Sequence, residues 1–269
     1  MPDIYLINGN RLDSEEALSF PLFSPGIPIK KAFFESIRCE NGSIPFWNDH
    51  LERIKNGFKY FESKVFYDPD RIYEDILKLS GISRIKYSKV KVVFDLSNNA
   101  CIIGIKELSH GLKDEMQIPL FVSIHDETYG SEYNIKIKKG SYEFQKRALA
   151  EQSKKFDERL IKNENNKLIE GFFSNLFWIN NNTVFCVIED TCILEGLMQI
   201  RIRKLCEILG IKIVQTEGLP LKEYQQAEAL FLTNMVRGLR SVKKLNGQNY
   251  KTHPIINIIQ ENIITELED

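Results

Sequence analysis

The sequence predicts an α+β protein of two domains, and three observations lead there. A chain of 269 residues that is 43% hydrophobic and 27% charged carries enough apolar content for one large core or two modest ones. Its first half mixes strand-like runs that stop at Asn-Gly turns with two amphipathic helical stretches. Its second half opens on a succession of short strand-like runs joined by Asn- and Gly-rich turns, so it begins as mostly β.

Taken in order, Tyr5–Ile7 reads as a strand ended by Asn8-Gly9, and residues 33–39 as another ended by Asn41-Gly42. Asn48 or Asp49 is positioned to cap a helix through Leu51, Ile54, Phe58 and Phe61, whose spacing puts apolar groups on one face. A second helix follows over residues 70–79. Residues 90–94 and 100–105 flank an Asn98-Asn99 turn and read as two strands closing the first domain. The expected division is residues 1–108, a linker over 109–118, and a second domain over 119–269. In the latter, residues 120–124, 134–138, 167–170, 174–179 and 183–188 read as strands. A helical pattern through Leu197, Ile200, Ile202, Leu205 and Leu209 stops at Gly210, and residues 212–215 and 229–233 return to strand.

Charge and composition exclude several classes. The formal charge of −1, with both signs interspersed, supplies no basic stripe for a phosphate backbone, so nucleic acid is not an expected partner. No apolar run is long enough to cross a bilayer, and residues 1–10 read as a short strand, not a secretion signal; a cytoplasmic protein is expected. The five cysteines (Cys39, Cys101, Cys186, Cys192, Cys206) are odd in number and scattered without metal-ligand spacing. They read as reduced core thiols, with no metal site.

Three segments could carry chemistry. In Ile135-Lys136-Ile137-Lys138 the alternation puts both lysines on one face of a strand, with Lys138 at its end. A lysine there can face a cleft, and Schiff-base chemistry needs an amine desolvated enough to be neutral near pH 7. On residues alone, a lysine-rich strand is more commonly a solvated face. Glu170 ends a strand among bulky apolar groups, where a carboxylate is costly unless paired; a pyridinium nitrogen would pair it, and a surface hairpin end is the plainer alternative. Gly196 precedes a helix whose first-turn amides could hold an anion, although such turns are common, and Arg53 could add a guanidinium or simply be exposed.

Their order and spacing together resemble the class IV aminotransferase family of pyridoxal 5'-phosphate enzymes. Residues 33–54, FFESIRCENGSIPFWNDHLERI, are similar to the family's Phe-Glu-Thr-x-Arg strand, glycine turn and His-Leu-x-Arg helix, with His50, Leu51 and Arg53 in register and Ser36 in place of threonine. Residues 137–142, IKKGSY, resemble the lysine motif and select Lys138 over Lys136 and Lys139. Residues 168–178, LIEGFFSNLFW, resemble the glutamate motif, with Asn175 five residues after Glu170. Residues 193–202, ILEGLMQIRI, fit the phosphate-binding turn. The Asn-x-x-Arg-Gly pattern at Asn234, Arg237 and Gly238 is closer to the aminodeoxychorismate lyase branch than to the Gly-Thr type of branched-chain aminotransferases.

The resemblance implies an N-terminal α/β sandwich, a C-terminal β pseudo-barrel with helices, the cofactor in the cleft between them, and a homodimer. It implies Lys138 as the catalytic lysine carrying the cofactor as a Schiff base. Glu170 would lie on the ring nitrogen, and Arg53 with the Gly196, Leu197 and Met198 turn on the phosphate. Asn175, Asn234 and Met235 would lie around the cofactor, and Tyr142 on its phenolic oxygen. Substrate is a small amino-acid-like compound, with Arg38, Arg237 and Arg240 as candidates for its carboxylates. The implied reaction is that of aminodeoxychorismate lyase; the alternatives are a branched-chain or D-amino acid aminotransferase, and a silent cofactor-binding protein. The chain departs from the pattern at Lys30-Lys31-Ala32, where the family has Gly-Asp-Gly. It departs again at Met198, which replaces a threonine hydroxyl, and at Gln199, where arginine is usual.

Overall fold

Alternating apolar residues in the first half build an antiparallel sheet in a computed structural model that describes residues 4–12, 18, 20–23, 29, 31–129, 138, 155–188 and 193–268. Strands β1 (Tyr5–Ile7), β2 (Asn10–Leu12), β3 (Ala32–Glu40), β4 (Tyr87–Asp95) and β5 (Ala100–Glu107) pair in the order β2-β1-β5-β4-β3. On one face, Phe33, Ile37, Val90, Val92 and Phe94 pack with Ile54, Phe58, Ile72, Ile76 and Leu79 of helices α1 (Trp47–Tyr60) and α2 (Pro69–Ser83). On the other face Tyr5, Leu18, Phe20, Leu22, Val93 and Ile102 form a second cluster. The sheet is thus buried on both sides, which is why β4 carries apolar residues on both faces, Val90, Val92 and Phe94 on one and Val93 on the other.

Helix α1 starts earlier than its sequence signal. Phe46, in the left-handed region at φ 58°, precedes it without a side-chain cap, so Asn48 and Asp49 lie in the first turn and do not cap it. Asp49 still meets the positive end of the helix dipole there. Helix α2 has the cap that α1 lacks: the Asp68 carboxylate accepts the Asp70 N–H at 3.1 Å, and Pro69 occupies the first turn.

The second unit begins at Leu112, where helix α3 (Leu112–Gln117) occupies most of the expected linker. Its strands are β6 (Leu120–Tyr129), β7 (Glu158–Asn163), β8 (Lys167–Gly171), β9 (Asn175–Asn180), β10 (Thr183–Val187), β11 (Ile213–Thr216), β12 (Leu219–Pro220), β13 (Ala229–Asn234), β14 (Gly238–Leu245) and β15 (Gln248–Asn249). Following the hydrogen bonds from β9 through β13, β14, β6, β7 and β8 returns to β9, so these strands close a barrel. The closing pair is Glu170 opposite Asn175. Helices α4 (Leu197–Ile208) and α5 (Pro254–Glu268) complete the unit. The expected α+β architecture with a strand barrel is present.

Lys138 groups with the first unit, not with the barrel to which the sequence reading assigned it. Its carbonyl accepts the Phe34 N–H at 3.0 Å, along β3, the last strand of the first sheet among the described residues. The rest of the expected strand over 134–138, and Tyr142, lie outside the described residues. Cys39, Cys101, Cys186 and Cys206 are buried free thiols, and among the described residues no acid, histidine or cysteine cluster could hold a metal. No described helix is long and apolar enough to cross a membrane.

Candidate functional site

The chemistry-bearing residues fall into one group on each unit. In the first, the β3 alternation that buries Phe33 and Ile37 against α1 carries Glu35 to the same side, where α1 presents His50 and Arg53 three residues apart. The Arg53 guanidinium forks onto Glu35, with Nε to Oε2 at 2.8 Å and Nη2 to Oε1, while His50 Nδ1 lies 2.7 Å from Oε1. Burial works to raise the Glu35 pKa, but Arg53, the His50 hydrogen bond and Lys138 outweigh it and hold the carboxyl well below the usual range. Burial lowers the pKa of His50, so the neutral ring donates from Nδ1 and leaves Nε2 as an acceptor. Nε2 is buried with no hydrogen-bond partner among the described residues.

Lys138 belongs to this group. It is partly buried, with Nζ 5.8 Å from the centroid of the Phe34 ring. Burial, then the nearby Arg53 charge, brings its amine down to about 7, with Glu35 opposing. Lys91 on β4 is over the same ring at 4.6 Å, and burial brings it too to about 7.

In the second unit the group sits at the barrel's closing pair. Glu170 is 6% exposed; burial pushes its carboxyl up to about 8, with Glu158 adding to the rise and a hydrogen bond from the Leu194 backbone opposing it. Asn175 Nδ2 donates to the Leu194 carbonyl at 2.7 Å. Both members of the closing pair therefore hold the same peptide segment, which leads into Gly196 and α4. Gly196 precedes α4 with no side-chain cap and no acid in the first turn, so the amides of Leu197 and Met198 have no partner inside the helix. A Cβ on Gly196 would overlap Asn175 Oδ1. The glycine is thus required by Asn175 and not only by an incoming anion. Gln199 is buried, its Nε2 donating to the Val187 carbonyl at 2.9 Å.

The Asn234 to Arg240 segment is a turn with local chemistry. Asn234 Oδ1 accepts from the amides of Val236 at 3.0 Å and Arg237 at 2.8 Å, and Gly238 takes φ 68°. Arg237 Nη1 is 2.6 Å and Arg240 Nη1 3.1 Å from Glu115 Oε1, and Arg240 Nε donates to the Ile118 carbonyl. The Arg237 side chain stays 50% exposed, against 7% for Arg240. Met235 is buried beside this turn. Arg38, in the first unit, is buried and bonds Glu40 at 2.6 Å and the His110 carbonyl at 2.5 Å.

A lysine with a depressed amine, a forked arginine, a buried acid and an uncapped helix start bear directly on the comparison with known proteins. The family model described as Amino-transferase class IV matches residues 32–245. The chain belongs to this family. Members of the class IV aminotransferase family are pyridoxal 5'-phosphate-dependent enzymes. The aminodeoxychorismate lyase of Bacillus subtilis (strain 168) is 23% identical over 265 residues, covering 91% of this chain and 87% of its own. A Legionella pneumophila crystal structure provisionally assigned as a 4-amino-4-deoxychorismate lyase shares the fold at a TM-score of 0.75 and 20% identity, covering 91% of this chain and 96% of its own. The branched-chain amino acid aminotransferase of Escherichia coli aligns at a TM-score of 0.80 and 16% identity, covering 99% of this chain and 95% of its own.

Of the residues singled out from the sequence, Arg53 and Lys138 come together in one unit, and Glu170, Asn175 and the Gly196 turn in the other. Sequence reasoning missed Glu35 and Lys91. The signal for Glu35 was available: on an alternating strand it shares the face of Phe33 and Ile37, and a buried acid there needs a cation.

Proposed function

We propose that this class IV aminotransferase family member is an aminodeoxychorismate lyase, forming 4-aminobenzoate and pyruvate from 4-amino-4-deoxychorismate with pyridoxal 5'-phosphate held on Lys138. The observation that carries the cofactor reading is the Lys138 amine, brought down to about 7 beside Arg53. A lysine neutral near physiological pH can bond a carbonyl carbon.

The residues present fit that cofactor. Arg53 Nη1 takes no partner among the described residues, because Glu35 engages Nε and Nη2, so it is available to a phosphate. The Leu197 and Met198 amides at the start of α4 suit an anion such as a phosphate. Glu170, costly as a buried anion, would be matched by a protonated ring nitrogen. When bound, the cofactor supplies an electron sink for a substrate carbanion. With the cofactor bound, Lys138 Nζ would move the proton at the substrate carbon as general acid and base. Asn175 orients the Gly196 turn through Leu194.

Two observations favour the lyase over an aminotransferase: the name of the Bacillus subtilis relative and the Asn-x-x-Arg-Gly segment ending at Gly238. The substrate's two carboxylates call for cations. Arg237, half exposed although its Nη1 also pairs with Glu115, is the candidate, whereas Arg38 and Arg240 are buried and engaged by internal acids and carbonyls. The reading implies a cytosolic homodimer acting in folate biosynthesis.

The test incubates cofactor-loaded protein with aminodeoxychorismate, and separately with amino donors and 2-oxoglutarate. Pyruvate and 4-aminobenzoate from the first mixture, with no amino transfer in the second, support the lyase. Amino transfer alone assigns an aminotransferase. A protein that takes up no cofactor, or whose visible band survives Lys138→Ala, overturns the reading; Lys91→Ala should keep the band.

A further inference from the structure

The buried carboxylate of Glu158 has no part in the chemistry above, yet it touches the turn between Glu170 and Asn175. Glu158 lies on β7 beside β8 and is 8% exposed. Its Oε1 accepts the Phe173 N–H at 2.8 Å. The same oxygen, together with Ser174 Oγ, occupies the space a Cβ on Gly171 would need. The turn is closed on itself by Gly171 N–H to the Ser174 carbonyl at 2.7 Å, and tied to β7 by Phe172 N–H to the Arg159 carbonyl at 3.1 Å. Glu170 and Asn175 stand at its two ends and hold the Leu194 peptide segment ahead of α4.

We infer that Glu158 is a positioning residue: by accepting the Phe173 amide it fixes the Gly171–Ser174 turn, and through it the placement of Glu170 and of the helix start at Gly196. The inference rests on the proposed cofactor role of Glu170. The groups that act on Glu158 are the Phe173 amide and Ser174 of the turn, Arg240 of β14, Arg237 just before it, and Glu170 of β8; burial, first, raises its pKa, and the Phe173 amide, Ser174 and then the two arginines oppose the rise. A glutamine at 158 keeps an acceptor for Phe173 but loses the charge. An alanine loses both.

The experiment compares Glu158→Gln, Glu158→Ala and Glu158→Asp. It measures the dissociation constant of pyridoxal 5'-phosphate by absorbance and, in cofactor-free protein, amide exchange at Phe173 and the carboxyl titration of Glu170 by NMR. Glu158→Ala is expected to weaken cofactor binding and Phe173 protection by about tenfold or more, the scale of a buried N–H left without its acceptor. Glu158→Gln should restore both while moving the Glu170 titration to lower pH, a shift that mere loss of fold stability would not give. Where the alanine variant does not fold, the aspartate, one methylene too short to reach Phe173, should lose what the glutamine keeps. An alanine variant within about twofold of wild type, or a glutamine as impaired as the alanine, overturns the role. Should the wild-type protein bind no cofactor, the functional reading fails, while Phe173 exchange and the Glu170 titration still judge Glu158.

Discussion

Two titratable groups govern how this chain should respond to pH. Lys138 is lowered from 10.5 to about 7, so its neutral fraction rises through that pH. Reductive trapping of an aldehyde on Lys138, followed by mass spectrometry, should increase with pH with a midpoint near that value in cofactor-free protein. Glu35→Gln should move the midpoint lower still, because the Glu35 charge opposes the loss of the lysine's proton. Glu170 works in the other direction. Its carboxyl is raised from 4.5 to about 8, so the folded chain keeps a proton that the unfolded chain has released. Below pH about 4.5 both states are protonated and there is no penalty; stability then falls as pH rises to about 8 and is flat beyond it. Cofactor-free Glu170→Gln lacks this slope. Relative to wild type it should gain on the order of a few kcal/mol above pH 8, and nothing near pH 4, in urea unfolding, while its affinity for pyridoxal 5'-phosphate drops.

At the scale of elements, the start of α4 is set by contacts from another strand. Gly196→Ala would drive a Cβ into Asn175 Oδ1 on β9, so the helix start or the Asn175 side chain must shift. We expect a stability loss of about 1–3 kcal/mol by thermal unfolding and weaker cofactor binding. Asn175→Ala in the same chain should relieve the overlap without restoring binding, because it also releases the Leu194 carbonyl. Most long elements were legible in the sequence because their apolar period was clean: β3, β4, β5, β9, α2 and α4 all fall within a few residues of the expected ranges. Strand β7 was not. Glu158, Arg159 and Lys162 surround only Leu160 and Ile161, and the pattern resembles a loop until parallel pairing with β6 buries it. Helix α5 was also missed, although Ile256, Ile259, Gln260 and Ile263, all buried, have helical spacing.

For the whole molecule, Lys138 and Arg53 belong to one unit, and Glu170 and Gly196 to the other. Cofactor that binds only the folded chain should then raise its stability by about 2.7 kcal/mol at a hundredfold excess over Kd. Melting temperature should rise by a few degrees in wild type on adding pyridoxal 5'-phosphate and much less in Lys138→Ala. A rise of equal size in both would exclude Lys138 as the anchoring residue. The sequence by itself determined the two-part α+β architecture, because hydrophobic period and turn residues are local and survive without a fold. It also determined the family, because the lysine, glutamate and glycine motifs keep their order and spacing along the chain. Only the tertiary structure decided what each motif residue answers to: that Glu35 grips Arg53, that Gly196 makes room for Asn175, that Lys138 lies along β3, and that Arg237 keeps an exposed side chain while Arg38 and Arg240 turn inward. Apart from the Arg38–Glu40 pair, these contacts join residues 18 to 122 positions apart. A buried charge or an occupied space becomes a constraint only when distant strands have closed around it.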